Sequence, residues 1–148
     1  MIIITDLNFE NLDKVAKLEK ICFGDDSWSE NLLKEEIGKE NKHYYVIMVE
    51  NEVFAYGGFA QILDEGHIMN IAVSPMRRRN GYATLILQKF FQSAKDLGIN
   101  SFTLEVRESN IAARKLYEKN GFSLAGVRKG YYQDKENGCI YWMYLQEE

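Results

Sequence analysis

"LEVRESNIAARKLYEKNGF", residues 104–122, reads as a short strand, a turn and a helix that Gly121 stops. On the strand, Leu104 and Val106 share one face while Thr103, Glu105 and Arg107 take the other, so Glu105 faces either a cleft or solvent. Asn110 stands at the helix start, where its side chain is free to cap the first turn. Tyr117 lies with Ala113 and Leu116 on an apolar stripe, the ordinary setting of a core tyrosine whose hydroxyl has found a partner. Singly, each residue is compatible with a purely structural role. Together they place an acid, an amide and a phenol in one compact unit.

The sequence on either side supplies the layers around that unit. "MIIIT" is strand-like and leads into a helix from Asn8 to about Glu19, with Leu12, Val15, Leu18 and Cys22 at helical spacing. Ser27 with Glu30 fits a capping box for a second helix that runs to about Ile37. "YYVIMVEN" and "VFAYGGFAQIL", divided at "ENE", read as a hairpin, and "HIMNIAV" as a further strand ended by Ser74-Pro75. From Gly81 to Leu97 the apolar positions Tyr82, Leu85, Ile86, Phe90, Ala94 and Leu97 make one helical face, stopped by Gly98. "SFTLEVR" is a strand, Asn110–Asn120 a helix, and "SLAGVRKGYY" with "CIYWMYL" a closing strand pair. Early strands without intervening helices, followed by strand and helix in alternation, predict an α/β (α+β) chain with a mixed sheet and helices packed on it.

A length of 148 residues suits one domain, residues 1–148, and no repeat, low-complexity tract or Pro/Gly/Ser linker divides it. Hydrophobic residues make up 46% and aromatics 13% of the chain, and no apolar run approaches the ~18 residues of a membrane helix. "MIIITDL" has neither a basic leader nor a small-residue cleavage site, which predicts a soluble cytoplasmic protein with no membrane partner. Cys22 and Cys139 are isolated, as are His43 and His67, so neither a disulfide framework nor a metal site is expected. The net charge of −4 hides an asymmetry: residues 1–74 carry 14 acids against 6 Lys, and residues 75–148 carry 8 acids against 12 bases. Such a division suits a cationic ligand near the first half and an anionic one near the second, besides being compatible with ordinary solvated surface. The bases form no long stripe, so direct nucleic-acid binding is not expected.

"IAVSPMRRRNGYATL", residues 71–85, is the natural place for the anion. A strand is followed by a basic loop and by a helix opening on Gly81; small residues there let a ligand approach the backbone, and the first-turn amides point outward. Arg77, Arg78 and Arg79 add charge suited to phosphate oxygens. Neither the Gly-Lys-Ser/Thr ending of a triphosphate loop nor a full dinucleotide fingerprint is present.

Taken together, "NIAVSPMRRRNGYA" and, about thirty residues on, "LEVRESNIAARKLYEKNGF" resemble the acetyl-coenzyme A binding core of the GCN5-related N-acetyltransferases (GNAT). Within that superfamily the chain is most similar to the bacterial ribosomal-protein alanine N-acetyltransferases (RimI-type), which acetylate the N-terminal alanine of a small-subunit ribosomal protein. "SWSE" at 27–30 resembles an early family element and "RKGYY" at 128–132 a late one, so the likeness spans nearly the whole chain. It implies a mixed, mostly antiparallel central sheet flanked by helices and splayed between its fourth and fifth strands. The pantetheine arm of acetyl-CoA would enter the gap beside Ile71, Ala72 and Val73. The pyrophosphate would meet the segment Arg78, Arg79, Asn80, Gly81, Tyr82, Ala83 and Thr84, and Asn110 would touch the cofactor near the pantetheine. One departure stands out: the family's closing strand usually carries an acidic pair before its apolar run, where this chain has "NGCIYWM" from 137 to 143.

The resemblance also implies roles. Glu105 would act as general base toward the amine and Tyr117 as general acid toward the departing coenzyme A, with a backbone amide near Val73 holding the oxyanion. An α-amine with a pKa of ~8 is about 10% neutral at pH 7, against about 0.04% for a lysine at ~10.4, so a weak base suffices for an N-terminus. Direct transfer needs no covalent enzyme intermediate, and neither cysteine lies in these motifs. The acceptor expected is the N-terminus of a basic ribosomal protein, drawn by the acidic first half and lined by Trp28, Tyr131 and Tyr132. A small amine or polyamine acceptor, and a non-catalytic acyl-CoA-binding module, are the readings that remain beside it.

Overall fold

A computed structural model describes residues 1–145 of the chain. The strands are β1 (Ile2–Asp6), β2 (Lys42–Val49), β3 (Glu52–Ile62), β4 (Glu65–Val73), β5 (Ser101–Arg107), β6 (Ser123–Arg128) and β7 (Gly138–Tyr144). The helices are α1 (Leu12–Phe23), α2 (Glu30–Glu36), α3 (Tyr82–Leu97) and α4 (Ile111–Lys119). All seven strands join one sheet in the order β1-β2-β3-β4-β5-β7-β6. Every neighbouring pair is antiparallel except β4 and β5, which α3 connects as a parallel crossover. No helix among the described residues is long and apolar enough to cross a membrane.

The parallel pair is short. Only Glu65, Gly66 and His67 of β4 pair with β5, opposite Ser101, Phe102 and Thr103. Beyond His67, β4 stays with β3 while Leu104–Arg107 stays with β7, so the sheet splits between its fourth and fifth strands. A bulge sits where the split begins: Gly58 pairs with Asn70 and Phe59 with Ile68, leaving Met69 as the extra residue that bends β4.

Helices cover both faces of the sheet because its central strands are apolar on both. Along β2, Tyr45 and Ile47 face a core shared with Phe59, Ile86, Phe90 and Phe102, whereas Tyr44 and Val46 face a second core with Val15, Leu18 and Leu33. The first core packs α3 and α4 and is dominated by aromatics; Phe59 meets Phe90 and Phe102 edge-on at 5.0 and 5.2 Å. The second core packs α1 and α2 and contains a polar knot. The Tyr56 hydroxyl donates to buried Glu19 of α1, and Asn70 Nδ2 donates to Glu19 Oε1 (2.9 Å) and to the Tyr56 oxygen (2.8 Å). Glu19 Oε2 also accepts from the Trp28 amide at 2.9 Å. One buried carboxylate therefore ties α1, the segment before α2, β3 and the bent part of β4 together.

Local chemistry moves three expected boundaries. Asn8 and Asn11 exchange side-chain bonds with each other's amides (2.9 and 3.0 Å), which holds residues 8–11 in a turn, so α1 begins at Leu12 and runs on to Phe23. The cap of α2 is Ser29, whose Oγ accepts from Leu32 N at 3.2 Å, and not Ser27. Strand β6 stops at Arg128; Gly130 and Lys135 take positive φ (62° and 71°), placing Tyr131 and Tyr132 on a loop instead of a strand.

Gly66 has no room for a side chain, because a Cβ there would lie 2.4 Å from Cε1 of Phe102. Gly66→Ala should push Phe102 out of the first core and cost about 1–3 kcal/mol, as overpacking does. A urea unfolding midpoint equal to that of the parent would contradict this placement of β4 against β5.

Candidate active site

Two grooves border the split. The first, of about 580 Å³, runs along the free lip of β4 at Ile71, Ala72 and Val73. It continues over the loop and helix start at Arg78, Arg79, Gly81, Tyr82, Ala83 and Thr84. Its opposite wall is apolar and comes from α4: Ala112, Ala113, Leu116 and Tyr117, with Lys119 at the end. Nine residues expected to meet a cofactor thus fall on one surface.

The loop is built to present its backbone. Gly81 and, unusually for a residue with a side chain, Arg79 have left-handed φ of 82° and 67°. Asn80 maintains that shape by donating from Nδ2 to the carbonyls of Arg77 (3.0 Å) and Arg78 (3.1 Å). No acceptor among the described residues takes the amides of residues 79–84. Five of these residues, Arg79, Gly81, Tyr82, Ala83 and Thr84, line the groove where a 16-residue helix begins, an arrangement suited to anionic oxygens. Arg78 Nε is bonded to Val73 O at 3.2 Å, so this arginine also pins the loop to the lip of β4.

Asn80 and Asn110 are not brought to the groove wall. Asn80 shapes the loop from behind, and Asn110 caps α4, its Oδ1 accepting from Ala113 N at 3.2 Å. Cys22 of α1 does border the groove, which the motifs did not signal. Its thiol donates to Val73 O at 3.4 Å, and burial pushes its pKa up despite the Arg78 charge beside it. A thiol held protonated is a poor nucleophile.

Tyr117 is 8% exposed, and no hydrogen bond of its hydroxyl is found among the described residues. Burial alone pushes its pKa up to about 12. The phenol therefore keeps its proton at the apolar end of the groove.

The second groove, of about 560 Å³, lies toward the other side of the split. His67, Met69 and Thr103 mark the apex, Glu105 lies on the floor with Ile140 and Trp142, and Arg128, Tyr131 and Tyr132 form a side wall. Alternation along β5 puts Leu104 and Val106 into the first core and turns Glu105 the other way. The Glu105 side chain is 27% exposed; Oε1 is 3.4 Å from Arg128 Nε, and Oε2 is buried with no hydrogen-bond partner among the described residues. A buried carboxylate oxygen without a donor is costly unless something else is to meet it.

Of the three residues expected at an acceptor, Tyr131 and Tyr132 line this groove and Trp28 does not. Trp28 lies in a separate hollow beside Lys17 and Lys20 and packs on the second core. The turn at residues 24–26 and the Glu19 bond to its backbone direct it there. Two acids lie just upstream of "NGCIYWM". Asp134 and Glu136 both hold Arg107, through Nη1 contacts of 2.9 to 3.0 Å. The Glu136 amide and Arg107 keep the Asp134 carboxyl below the usual carboxylate range, and Ser109 with Arg107 does the same for Glu136. His67 and Trp142 carried no motif signal as site residues, and Arg128 entered only as the first residue of "RKGYY". Among the described residues there is no cluster of His, Cys, Asp or Glu that could hold a metal ion.

Comparison with known proteins agrees with this geometry. Residues 12–122 match the model of the acetyltransferase (GNAT) family. The chain is 35% identical over 122 residues to the [ribosomal protein bS18]-alanine N-acetyltransferase of Haemophilus influenzae, an alignment covering 80% of this chain and 82% of that one. It is 30% identical over 150 residues to an N-alpha-acetyltransferase of Saccharolobus solfataricus, covering 93% and 89%. Among solved structures, the ribosomal-protein-S18-alanine N-acetyltransferase from Escherichia coli superposes with a TM-score of 0.88 at 28% identity, over 100% of this chain and 96% of the other. A split sheet with an amide-rich loop on one lip, found in a chain so matched, has one family explanation: the protein belongs to the GNAT acetyltransferases.

Proposed function

We propose that the protein is an Nα-acetyltransferase that moves acetyl from acetyl-CoA directly to the N-terminal alanine amine of a basic ribosomal protein. The observation that carries this reading is the placement of Glu105 and Tyr117 on grooves that approach one split from two sides. The relatives named for ribosomal-protein alanine acetylation support the choice of acceptor.

The first groove fits acetyl-CoA on its own chemistry. Unpartnered amides of residues 79–84 and the charges of Arg78 and Arg79 suit a pyrophosphate. The unpaired lip of β4 at Ile71–Val73 suits an amide-bearing arm lying alongside as a further strand, with Ala112, Ala113 and Leu116 against its apolar parts. Acetyl-CoA, when bound, supplies an acetyl group activated as a thioester.

The chain's residues then manage protons. Glu105, its Oε2 without a donor, accepts the proton of the acceptor amine, directly or through water. Tyr117 offers its phenolic proton to the leaving sulfur, and its raised pKa keeps that proton in place until it is needed. A backbone amide near Val73 polarises the acetyl carbonyl. Cys22 stays a spectator, its thiol protonated against Val73 O, so transfer is direct instead of ping-pong. The aromatic wall of Tyr131 and Tyr132 bounds the peptide side of the Glu105 groove.

Mass spectrometry of transfer to a basic peptide beginning with Ala, beside the same peptide with a blocked N-terminus and a set of free polyamines, tests the acceptor. Modification of the free N-terminus alone is the expected result; modification of polyamines alone would move the enzyme to the small-amine class. For the mechanism, Glu105→Gln and Tyr117→Phe should each lower kcat at least tenfold, general acid–base catalysis being worth up to about 10²–10⁴-fold. Acetyl-CoA affinity should stay within about threefold of the parent in both, since neither change removes a uniform binding contact. Unchanged turnover in both variants would remove the assigned roles.

The raised pKa of Tyr117 also fixes the sign of the pH dependence. Because the phenol stays protonated until about pH 12, kcat/KM should climb as the acceptor amine deprotonates near pH ~8 and show no tyrosine-dependent decline up to about pH 10. A descending limb below pH 10 in the parent that vanishes in Tyr117→Phe would contradict it.

A further inference from the structure

A four-membered stack borders the Glu105 groove, and it begins on a residue outside the catalytic pair. The Arg107 guanidinium lies over the Tyr132 ring at 4.1 Å. Tyr132 meets Tyr131 edge-on at 5.1 Å and 82°. Arg128 lies 5.4 Å from the Tyr131 ring, and its Nε is 3.4 Å from Glu105 Oε1. Two aromatic rings are thus held between two guanidiniums, with the last cation facing the proposed base.

Arg107 does more than cover one ring. Its Nη1 contacts Asp134 Oδ1 and Oδ2 at 3.0 and 2.9 Å and Glu136 Oε1 at 3.0 Å. Glu136 Oε2 in turn accepts from the Ser109 amide at 3.0 Å, and the Glu136 amide donates to Asp134 Oδ1 at 3.1 Å. At the loop's start, Asn137 Oδ1 accepts from Gly130 N at 3.0 Å, and Tyr131 packs so closely on Gly138 that a Cβ there would lie 3.2 Å from the ring. The loop of residues 129–137 has little apolar anchorage of its own. Arg107 gives it a clasp at its acidic end and a platform at Tyr132.

We infer that Arg107 is a positioning residue for the acceptor: from the same face of β5 as Glu105, it holds the Tyr131–Tyr132 wall in register with the base. This rests on the Glu105 groove being the acceptor side. Exposed ion pairs taken singly contribute little, but here charge and stacking act on one planar group. Lysine cannot replace it, because an ammonium keeps the charge and loses both the planar face and the fork. A role in charge balance alone would be rescued by lysine; a role in wall geometry is not.

Arg107→Lys and Arg107→Gln provide the test, read in two ways. Hydrogen exchange at the amides of Gly130, Tyr132 and Lys135, each bonded within or at the edge of the loop, should quicken at least about tenfold in both variants, while α3 amides are unchanged, as local opening requires. Steady-state kinetics with the Ala-first peptide should show peptide KM up about tenfold, with kcat and acetyl-CoA KM within about threefold. Parent-like loop exchange in both variants overturns the inference, as does full rescue by lysine or a loosened loop with unaltered peptide KM. If the parent protein itself leaves the peptide unmodified, the proposed acceptor falls; loop exchange then decides by itself whether Arg107 holds the wall.

Discussion

Three residue pairs of parallel sheet, Glu65–His67 against Ser101–Thr103, hold the two halves of this molecule together along their strands, and both grooves lie beside them. Antiparallel pairing carries the remaining strands, so the sheet has one weak seam. Its limits are set by local constraints. Gly66 lets Phe102 lie against β4, the extra residue Met69 bends β4 away, and Asn70 fastens the bent part to buried Glu19 and Tyr56. The opening is therefore a packed, hydrogen-bonded feature of the fold, with unpaired backbone on the β4 lip.

That opening gives one small sheet two grooves, one for each proposed ligand. Along one lip, amides at the start of α3 and an apolar wall from α4 form a surface with a polar end and a greasy end. Across the apex, strand alternation turns Glu105 toward a groove walled by Arg128, Tyr131 and Tyr132. Tyr117 and Glu105 differ in environment. Burial keeps the phenol protonated, whereas Glu105 is partly open and has one carboxyl oxygen without a donor among the described residues. Of the basic loop, Arg78 and Arg79 lie on the lip proposed for the anion, whereas Arg77 turns to Glu52 and the Phe54 ring.

How much was legible beforehand depended on how local the cause was. The Gly81 to Gly98 helix, the hairpin and the β5–α4 unit follow from periodicity and glycine placement, and the structure has them at those positions. The splay was legible through motif resemblance, and so was the shape of the loop before α3, because "RRRNGYA" fixes backbone shape within seven residues. Boundaries set by side-chain traps were not: the Asn8–Asn11 exchange delays α1, and two positive-φ residues end the last strand pair before the tyrosines. Roles set by tertiary packing were hidden too. Nothing in "SWSE" reveals that Glu19 holds the Trp28 backbone away from the Glu105 groove. Likewise, nothing in "LEVR" reveals that its arginine takes up Asp134 and Glu136 from the far side of a loop.

The claim on which the rest depends is that donor and acceptor approach the split from its two sides and meet between Tyr117 and Glu105. A crystal structure with a conjugate joining coenzyme A through an acetyl bridge to the amine of an Ala-first basic peptide tests it most directly. The nucleotide should lie on the amides of residues 79–84, the bridge in the gap between β4 and β5, and the peptide beside Glu105, Tyr131 and Tyr132. A conjugate lying wholly on one side of the sheet, with Glu105 untouched, would contradict it.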